Sequence, residues 1–248
     1  MSQSLAHNTL SAVFAKSRQF VRPNVWWGLY NETMFMARYG PVDSSRSQNI
    51  LSMTCDDHLG FGVFTVEQYG SDQQVVKNMD DIYPGVEVSD FDGKYVDFDA
   101  TKKGKKGYRI TSVGAWQGHF YFVLTKNVAQ FSAKEQAFFT TDKWESVDSM
   151  IVEMAESWQT QSIVTSICYC EKKKKYLVVM TQSDAKQQSR WDKGKGKKNA
   201  NWTRDMERQG YHLTIVFKDP SDGMILRAVT KDKSISSSHV ITDVPCLM

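Results

Sequence analysis

Four segments of the chain repeat one pattern, and nothing else in the sequence limits the possible folds so strongly. They are "NILSMTCDDHLGFGVFTVEQYG" from Asn49, "YRITSVGAWQGHFYFVLTKN" from Tyr108, "SIVTSICYCEKKKKYLVVMTQS" from Ser162 and "YHLTIVFKDPSDGMILRAVTKD" from Tyr211. Each opens with a short run of β-branched and aromatic residues carrying a hydroxyl near its middle: Ser52, Thr111, Thr165 and Thr214. A polar or glycine-containing turn and a second apolar run follow, which predicts a β-hairpin four times over. The hydroxyls recur at roughly 50 to 60 residues, a period typical of repeat architectures.

The connecting segments repeat more loosely. A polar stretch with glutamine follows the second strand (Gln73 and Gln74, Gln136, Gln187 and Gln188), and a helix-like or turn segment with an aromatic leads into the next hairpin. In "KWESVDSMIVEMAESW", Val147, Met150, Ile151, Met154 and Trp158 fall at helical spacing. The expected fold is therefore α+β and mainly β, with about four hairpin-plus-short-helix repeats of roughly 50 residues in one domain. Such units cannot bury their apolar faces alone, so neighbours must stack. A ring or propeller-like closure would also remove exposed sheet edges. Residues 49–248 form the expected repeat domain. Residues 1–48, rich in aromatics and methionine in "NVWWGLYNETMFMARYG", fit the pattern poorly and suggest a packing strap or partial fifth unit.

The segments "QQVVKNMDDIYPG", "GYRITSV", "SIVTSICY" with "YLVVMTQS", and the Trp-then-aromatic entry into each hairpin resemble the repeats in the non-catalytic C-terminal region of plant and green-algal casein-kinase-I-like proteins. The resemblance covers roughly residues 49 to 235 and implies a repeat domain for substrate or partner binding. It does not carry kinase activity. The chain has no HRD-type catalytic loop, no DFG and no GxGxxG, and "FDG" at Phe91–Gly93 lacks every companion motif.

Lysine plus arginine number 31 against 28 for aspartate plus glutamate, so only local clusters can argue for an anionic partner. Two such clusters stand in glycine-punctuated stretches that precede a hairpin: Lys102, Lys103, Lys105 and Lys106 before the second, and Lys193, Lys195, Lys197 and Lys198 in "DKGKGKKNANW" before the fourth. As equivalent loops they would project on one face as a basic rim, with Trp191 and Trp202 available to stack on bases or to pack against a partner. As ordinary turns they are solvated. A third cluster, Lys172 to Lys175, falls in a hairpin turn. None is a P-loop, because GxxxxGK followed by Ser or Thr does not occur.

Other constellations point to structure. Asp90, Asp92, Asp97 and Asp99 miss the calcium-loop spacing, and the alternation in "KYVDFD" reads as a half-buried strand. "CDDH" at Cys55–His58 reads as a turn, since four consecutive residues do not converge on one substrate. The cysteines Cys55, Cys168, Cys170 and Cys246 lack zinc-site spacing and read as reduced structural thiols. No metal site, cofactor or catalytic residue is expected. No run reaches the ~20 apolar residues of a membrane span. The N-terminus carries Lys16, Arg18 and Arg22 with no acid before Glu32. Leu10, Val13, Phe14, Ser17 and Val21 lie near one helical face. This reads as an amphipathic first element, with an organelle transit or docking segment over residues 1–22 as the alternative.

These features lead to the expectation of a soluble, intracellular, non-enzymatic scaffold or partner-binding repeat protein that engages another protein or a multi-subunit assembly. Cytoplasm or nucleus is favoured over an organelle. The alternatives are an imported subunit or assembly factor of a large complex, and a polyanion or nucleic-acid binder acting through the basic loops.

Overall fold

The computed structural model describes residues 10–17, 26–40, 49–56, 60–66, 71–78, 95–101, 103–128, 134–158, 162–182, 188–194, 196–219, 223–231 and 235–244. The elements run in the order β1 (Leu10–Ser17), β2 (Trp26–Tyr30), α1 (Glu32–Tyr39), β3 (Asn49–Asp56), β4 (Gly60–Val66), β5 (Asp72–Lys77), β6 (Val96–Asp97), β7 (Tyr108–Trp116), β8 (His119–Lys126) and β9 (Gln136–Thr141). There follow α2 (Trp144–Ser157), β10 (Ser162–Cys170), β11 (Lys175–Gln182), β12 (Gln188–Gly194), α3 (Gly196–Arg208), β13 (His212–Lys218), β14 (Ile225–Lys231) and β15 (Ile235–Val244). The protein is mainly β with short helices, and no helix among the described residues is long and apolar enough to cross a membrane.

Each of the four segments folds as an antiparallel hairpin: β3 with β4, β7 with β8, β10 with β11, and β13 with β14. A third strand flanks the second hairpin strand in every case, giving the orders β2-β4-β3, β5-β8-β7, β9-β11-β10 and β12-β14-β13; β6 extends the third of these beyond β9. The first hairpin strand slips by one residue against its partner each time, between Ile50 and Ser52, Ile110 and Ser112, Val164 and Ser166, and Leu213 and Ile215. A bulge at one depth in all four hairpins bends the strand alike and turns the extra residue out of the ladder.

The slipped position is where neighbouring sheets are tied together. Gln73 on β5 crosses to Ile50 on β3: Ile50 N donates to its Oε1 at 2.6 Å, and its Nε2 donates to Ile50 O at 2.8 Å and to Thr125 Oγ1 at 2.9 Å. One sheet further on, Gln136 on β9 treats Ile110 on β7 in the same way, at 2.7 and 2.9 Å, and donates to Thr181 Oγ1 at 3.0 Å. The bulged Thr111 and Thr165 hydroxyls meet Thr125 and Thr181 at 2.8 and 2.5 Å. A serine completes each tie: Ser112 Oγ accepts from Met53 N, and Ser166 Oγ accepts from Val113 N, both at 3.0 Å. A bulge leaves strand N–H and C=O groups without ladder partners, and buried ones must find others. Here the glutamine amide of the next sheet supplies both. The fourth sheet keeps the two threonines, Thr214 at the slip and Thr230 on β14, but lacks the glutamine and the serine: Ser189 faces Thr230 across β12 and β14, and Ile215 stands at the serine position.

Apolar cores fill the spaces between sheets. Phe35 and Tyr39 of α1 meet Ile50, Phe61, Val63, Val75, Tyr121 and Val123. Phe98, Ile110, Phe120, Phe122, Leu124 and Phe138 pack with Cys168, Leu177 and Val179. Val147, Met150, Ile151 and Met154 of α2, the spacing expected for that helix, pack with Val178, Met180, Ile215 and Leu226.

Three expectations need correction. No closed barrel or propeller forms among the described residues: the strands stay in five separate sheets, joined through side chains and not through a continuous ladder. Residues 10–17 form a strand and not an amphipathic helix, because the last strand, β15, offers them a ladder partner from Leu10↔Val244 to Ser17↔Ile235. "DKGKGKKNANW" is not a loop, since Lys193 belongs to β12 and Lys197 and Lys198 to the first turn of α3. Residues 26–39, within the segment read as a packing strap or partial fifth unit, pack on the strands beyond residue 49: β2 pairs with β4, and Phe35 stacks on Phe61 with ring centroids 4.2 Å apart.

Candidate functional site

Outside the inter-sheet ties, a polar cluster among the described residues gathers at the hairpin turn of β7 and β8. Gln117 (φ 48°) and Gly118 (φ 87°) are both left-handed, the requirement of a tight two-residue hairpin turn. Trp116 and His119 are paired across that turn, and Gly114 pairs with Tyr121 two residues further from it. The strand alternation therefore puts all four on one sheet face, with Lys77, which pairs with Tyr121 from β5.

Glu32, in the first turn of α1, closes the cluster from above. Lys77 Nζ approaches Glu32 Oε1 at 2.6 Å and lies 5.8 Å from the Tyr121 ring centroid, and Tyr121 OH donates to the same Oε1 at 2.5 Å. Burial raises the Glu32 pKa, but the hydrogen bonds from Lys77 and Tyr121 and the Lys77 charge outweigh it and hold the carboxyl below its ordinary value. Burial first, and then the Glu32 carboxylate, push Tyr121 far up.

Asn78, at φ 52°, fixes the imidazole. Its N donates to Phe120 O at 2.6 Å, Phe120 N donates to its Oδ1 at 3.2 Å, and its Nδ2 stands 3.2 Å from His119 Nδ1. An amide Nδ2 donates, so His119 Nδ1 accepts and the proton sits on Nε2. Burial holds the His119 pKa below its ordinary value, with Lys77, Lys173 and Lys172 acting the same way and Glu32 opposing them. The Lys172 stem lies over the turn, its Cδ 3.5 Å from where a Gly118 Cβ would stand, and Lys173 Nζ lies 5.9 Å from the Phe120 ring centroid. The indole N–H of half-buried Trp116 is itself buried and meets no acceptor among the described residues.

The lysines singled out from sequence are dispersed. Lys103, Lys105 and Lys106 ride on a 3₁₀ turn, Gly104–Lys106, at the opposite end of the same sheet, where β7 begins. Thr101 builds that turn: its Oγ1 donates to Phe98 O at 2.6 Å and accepts from Gly104 N at 3.0 Å. A Cβ on Gly104 would lie 2.1 Å from Phe98 O, so only glycine fits there. Lys103 donates to Gln74 Oε1 at 2.6 Å and lies over the Tyr108 ring with Lys126, at 5.7 and 5.9 Å. Burial and a hydrogen bond to Asp72 push the Tyr108 hydroxyl up to about 12. Lys105 and Lys106 are exposed. Lys102 and Lys195 lie outside the described residues, as do the side chains of Trp191, Lys193, Lys197 and Lys198.

By backbone register, Lys193 faces Leu226 at the hairpin-turn end of its sheet, and Trp191 faces Ala228. The two lysine groups therefore stand at opposite ends of their sheets and are not brought together. Trp202 packs half-buried on Met206, Tyr211 and Val229. The cluster around His119 was missed by sequence reasoning; only "EKKKK" at the neighbouring turn signalled this end.

The acids and thiols are occupied locally. Asp97 Oδ1 accepts from Asp99 N, Asp99 Oδ2 accepts from Gln136 N at 2.9 Å, and Asp99 Oδ1 pairs with Arg109 at 2.7 Å. Asp90 and Asp92 lie outside the described residues, as does the "CDDH" stretch beyond Asp56. Cys55, Cys168 and Cys170 form no disulfide among the described residues, and burial pushes the Cys168 thiol well up. No group of three metal-ligating side chains occurs among the described residues. Comparison of the chain with family models, curated proteins and solved structures finds no match in any of them.

Proposed function

We propose that the chain is a non-enzymatic interaction protein, built from four related units of a flanking strand and a hairpin, that holds an anionic segment of a partner protein against the hairpin-turn end of its second and third sheets. The observation that carries this reading is the Lys172 stem laid over Gly118, which brings the ammonium groups of one hairpin turn beside the His119 turn of the next sheet. The ammonium groups of Lys172 and Lys173, with those of Lys174 and Lys175 on the same turn, make a local positive field that attracts an anion and orients its approach. Glu32, the acid on the inner side, is already engaged by Lys77 and Tyr121.

Two features support the repeat reading: the Gln–Thr–Thr–Ser tie that recurs at successive sheets, and the resemblance to the repeat region of casein-kinase-I-like proteins. We take a protein partner over nucleic acid: stacking on bases needs an exposed ring, and Trp202 of α3 is partly buried against Met206, Tyr211 and Val229. Lys105 and Lys106, exposed on a rigid turn at the other end, favour a second reading in which that end takes the anion.

Fluorescence anisotropy with a labelled oligoglutamate peptide separates the two. The expected result is binding that weakens steeply with salt and falls about tenfold in the Lys172→Ala/Lys173→Ala variant, with Lys105→Ala/Lys106→Ala close to wild type. The reverse order moves the site to the lysine turn before β7. Salt-independent or absent binding sinks the anion-binding reading.

A further inference from the structure

We infer that the boundary between the third and fourth sheets is a joint: it opens locally at the depth of the bulges, about a pivot at Tyr176 and Asp219, while the first two boundaries stay shut. Three boundaries of one design differ in what closes them. At the first, Gln73 holds Ile50 N and O, and Ser112 Oγ accepts from Met53 N. At the second, Gln136 holds Ile110 N and O, and Ser166 Oγ accepts from Val113 N. The groups in register at the third are Val164 N and O and Ile167 N. Opposite them the register places Ser189 where the glutamine stands elsewhere, and Ile215 where the serine does.

An isoleucine side chain accepts no hydrogen bond, and a serine side chain ends at its first atom beyond Cβ, short of a glutamine's reach. The polar ties of the first two boundaries therefore have no counterpart here. Val164 and Ile167 are nonetheless buried, at 4% and 8% exposure. Backbone groups that are buried without such partners gain hydrogen bonds to water when a boundary parts, which lowers the cost of opening.

The other end of the boundary is pinned. Tyr176, beside the β10–β11 turn, donates from its hydroxyl to Asp219 Oδ2 at 2.5 Å, and both residues are buried. Asp219 is itself held across the β13–β14 turn, where its N donates to Met224 O at 2.8 Å. Phe217 stands edge-on to the Tyr176 ring, with centroids 6.4 Å apart. Between the two ends the closure is apolar, Ile215, Leu226 and Ala228 against Val147, Ile151, Val178 and Met180. A boundary pinned at the turns and untied at the bulges parts from the bulge end first. Elements that open locally are those with the fewest such ties.

Native-state thiol labelling of the full chain tests this. Ala228 faces Ile215 and Val179 faces Ser166, so the two stand at one depth of adjacent sheets, Ala228 in the core at the third boundary and Val179 in the core at the second. In the Val179→Cys/Ala228→Cys chain, global unfolding exposes both new thiols equally. Iodoacetamide modification is read site by site by mass spectrometry, each rate divided by that of the same thiol in the unfolded chain. The thiol at position 228 is expected to react at least about tenfold faster than the one at position 179. Adding Tyr176→Phe should speed position 228 several-fold further and leave position 179 unchanged. Adding Gln136→Ala, which unties the second boundary, should raise position 179 relative to position 228. Equal normalised rates at the two positions overturn the joint. Acceleration of both or of neither by Tyr176→Phe overturns the pivot, and a Gln136→Ala chain in which the ratio is unchanged overturns the missing tie as the cause.

Discussion

Gln136 satisfies both backbone groups of Ile110 across a sheet-to-sheet boundary, accepting from its N at 2.7 Å and donating to its O at 2.9 Å. Both residues are fully buried, so no water is at hand to replace either bond. Gln136→Ala leaves an N–H and a C=O unsatisfied and is expected to cost about 2–6 kcal/mol, the sum of two such penalties. Gln73→Ala at the preceding boundary should behave alike. Denaturant unfolding checks both, and a loss under ~0.5 kcal/mol at each would show that the tie is replaceable.

Gly114 is a contact residue for Cys55. A Cβ there would stand 2.4 Å from Cys55 Sγ and 3.1 Å from Met53 Cε. Gly114→Ala should therefore destabilise by about 1–3 kcal/mol through overpacking. Cys55→Ala removes the sulfur and should recover more than half of that loss in the double variant. A strictly additive pair would contradict the contact.

His119 should titrate below 6.5 in the folded protein, since burial and the Lys77, Lys173 and Lys172 charges favour its neutral form over the opposing pull of Glu32. The sign of the linkage follows. The native state binds its proton less readily than the unfolded chain does, so this group's contribution to stability is present above the unfolded value and is lost as pH falls through the folded one. Glu32→Gln should lower the NMR midpoint further, and Lys172→Ala/Lys173→Ala should raise it. A midpoint above 6.5, or one that Glu32→Gln raises, would contradict the cluster's electrostatics.

Lys105 and Lys106 should be neutral to stability. Both are exposed on a turn whose shape is set by Thr101 and Gly104. Lys105→Ala/Lys106→Ala is expected to stay within about 0.5 kcal/mol of wild type, the usual range for surface changes, whereas Gly104→Ala should unfold the turn. Thermal melts of the three proteins decide it.

What the sequence made legible was local. The hydroxyls near the middle of each hairpin and the glutamines after it were visible as recurring residues, and the hairpins could be read from alternation and turn chemistry alone. Their joint role was not visible. That Gln136 reaches Ile110 depends on the one-residue slip at Thr111, and a bulge leaves no mark in the hydrophobic pattern. Ser52 was aligned with Thr111 by its hydroxyl, yet by register Leu51 stands at the slipped position and Ser52 matches Ser112. The N-terminal strand was read as helical because its apolar residues fit either period over so short a span, and pairing with β15 decided the matter. The site around His119 draws Glu32, Lys77, His119 and Lys172 from four elements, so no spacing could announce it. The lysines that sequence did single out fall at opposite ends of their sheets, because α3 runs back along its sheet before β13 begins.

Amide chemical-shift mapping during titration with an anionic peptide tests the central claim most directly, since it locates the bound ligand without substituting any residue. The account predicts dose-dependent shifts concentrated at Lys77, Asn78, residues 116–120 and residues 171–175, with residues 103–107 unmoved. Shifts centred on residues 103–107, or none at saturating peptide, would contradict it.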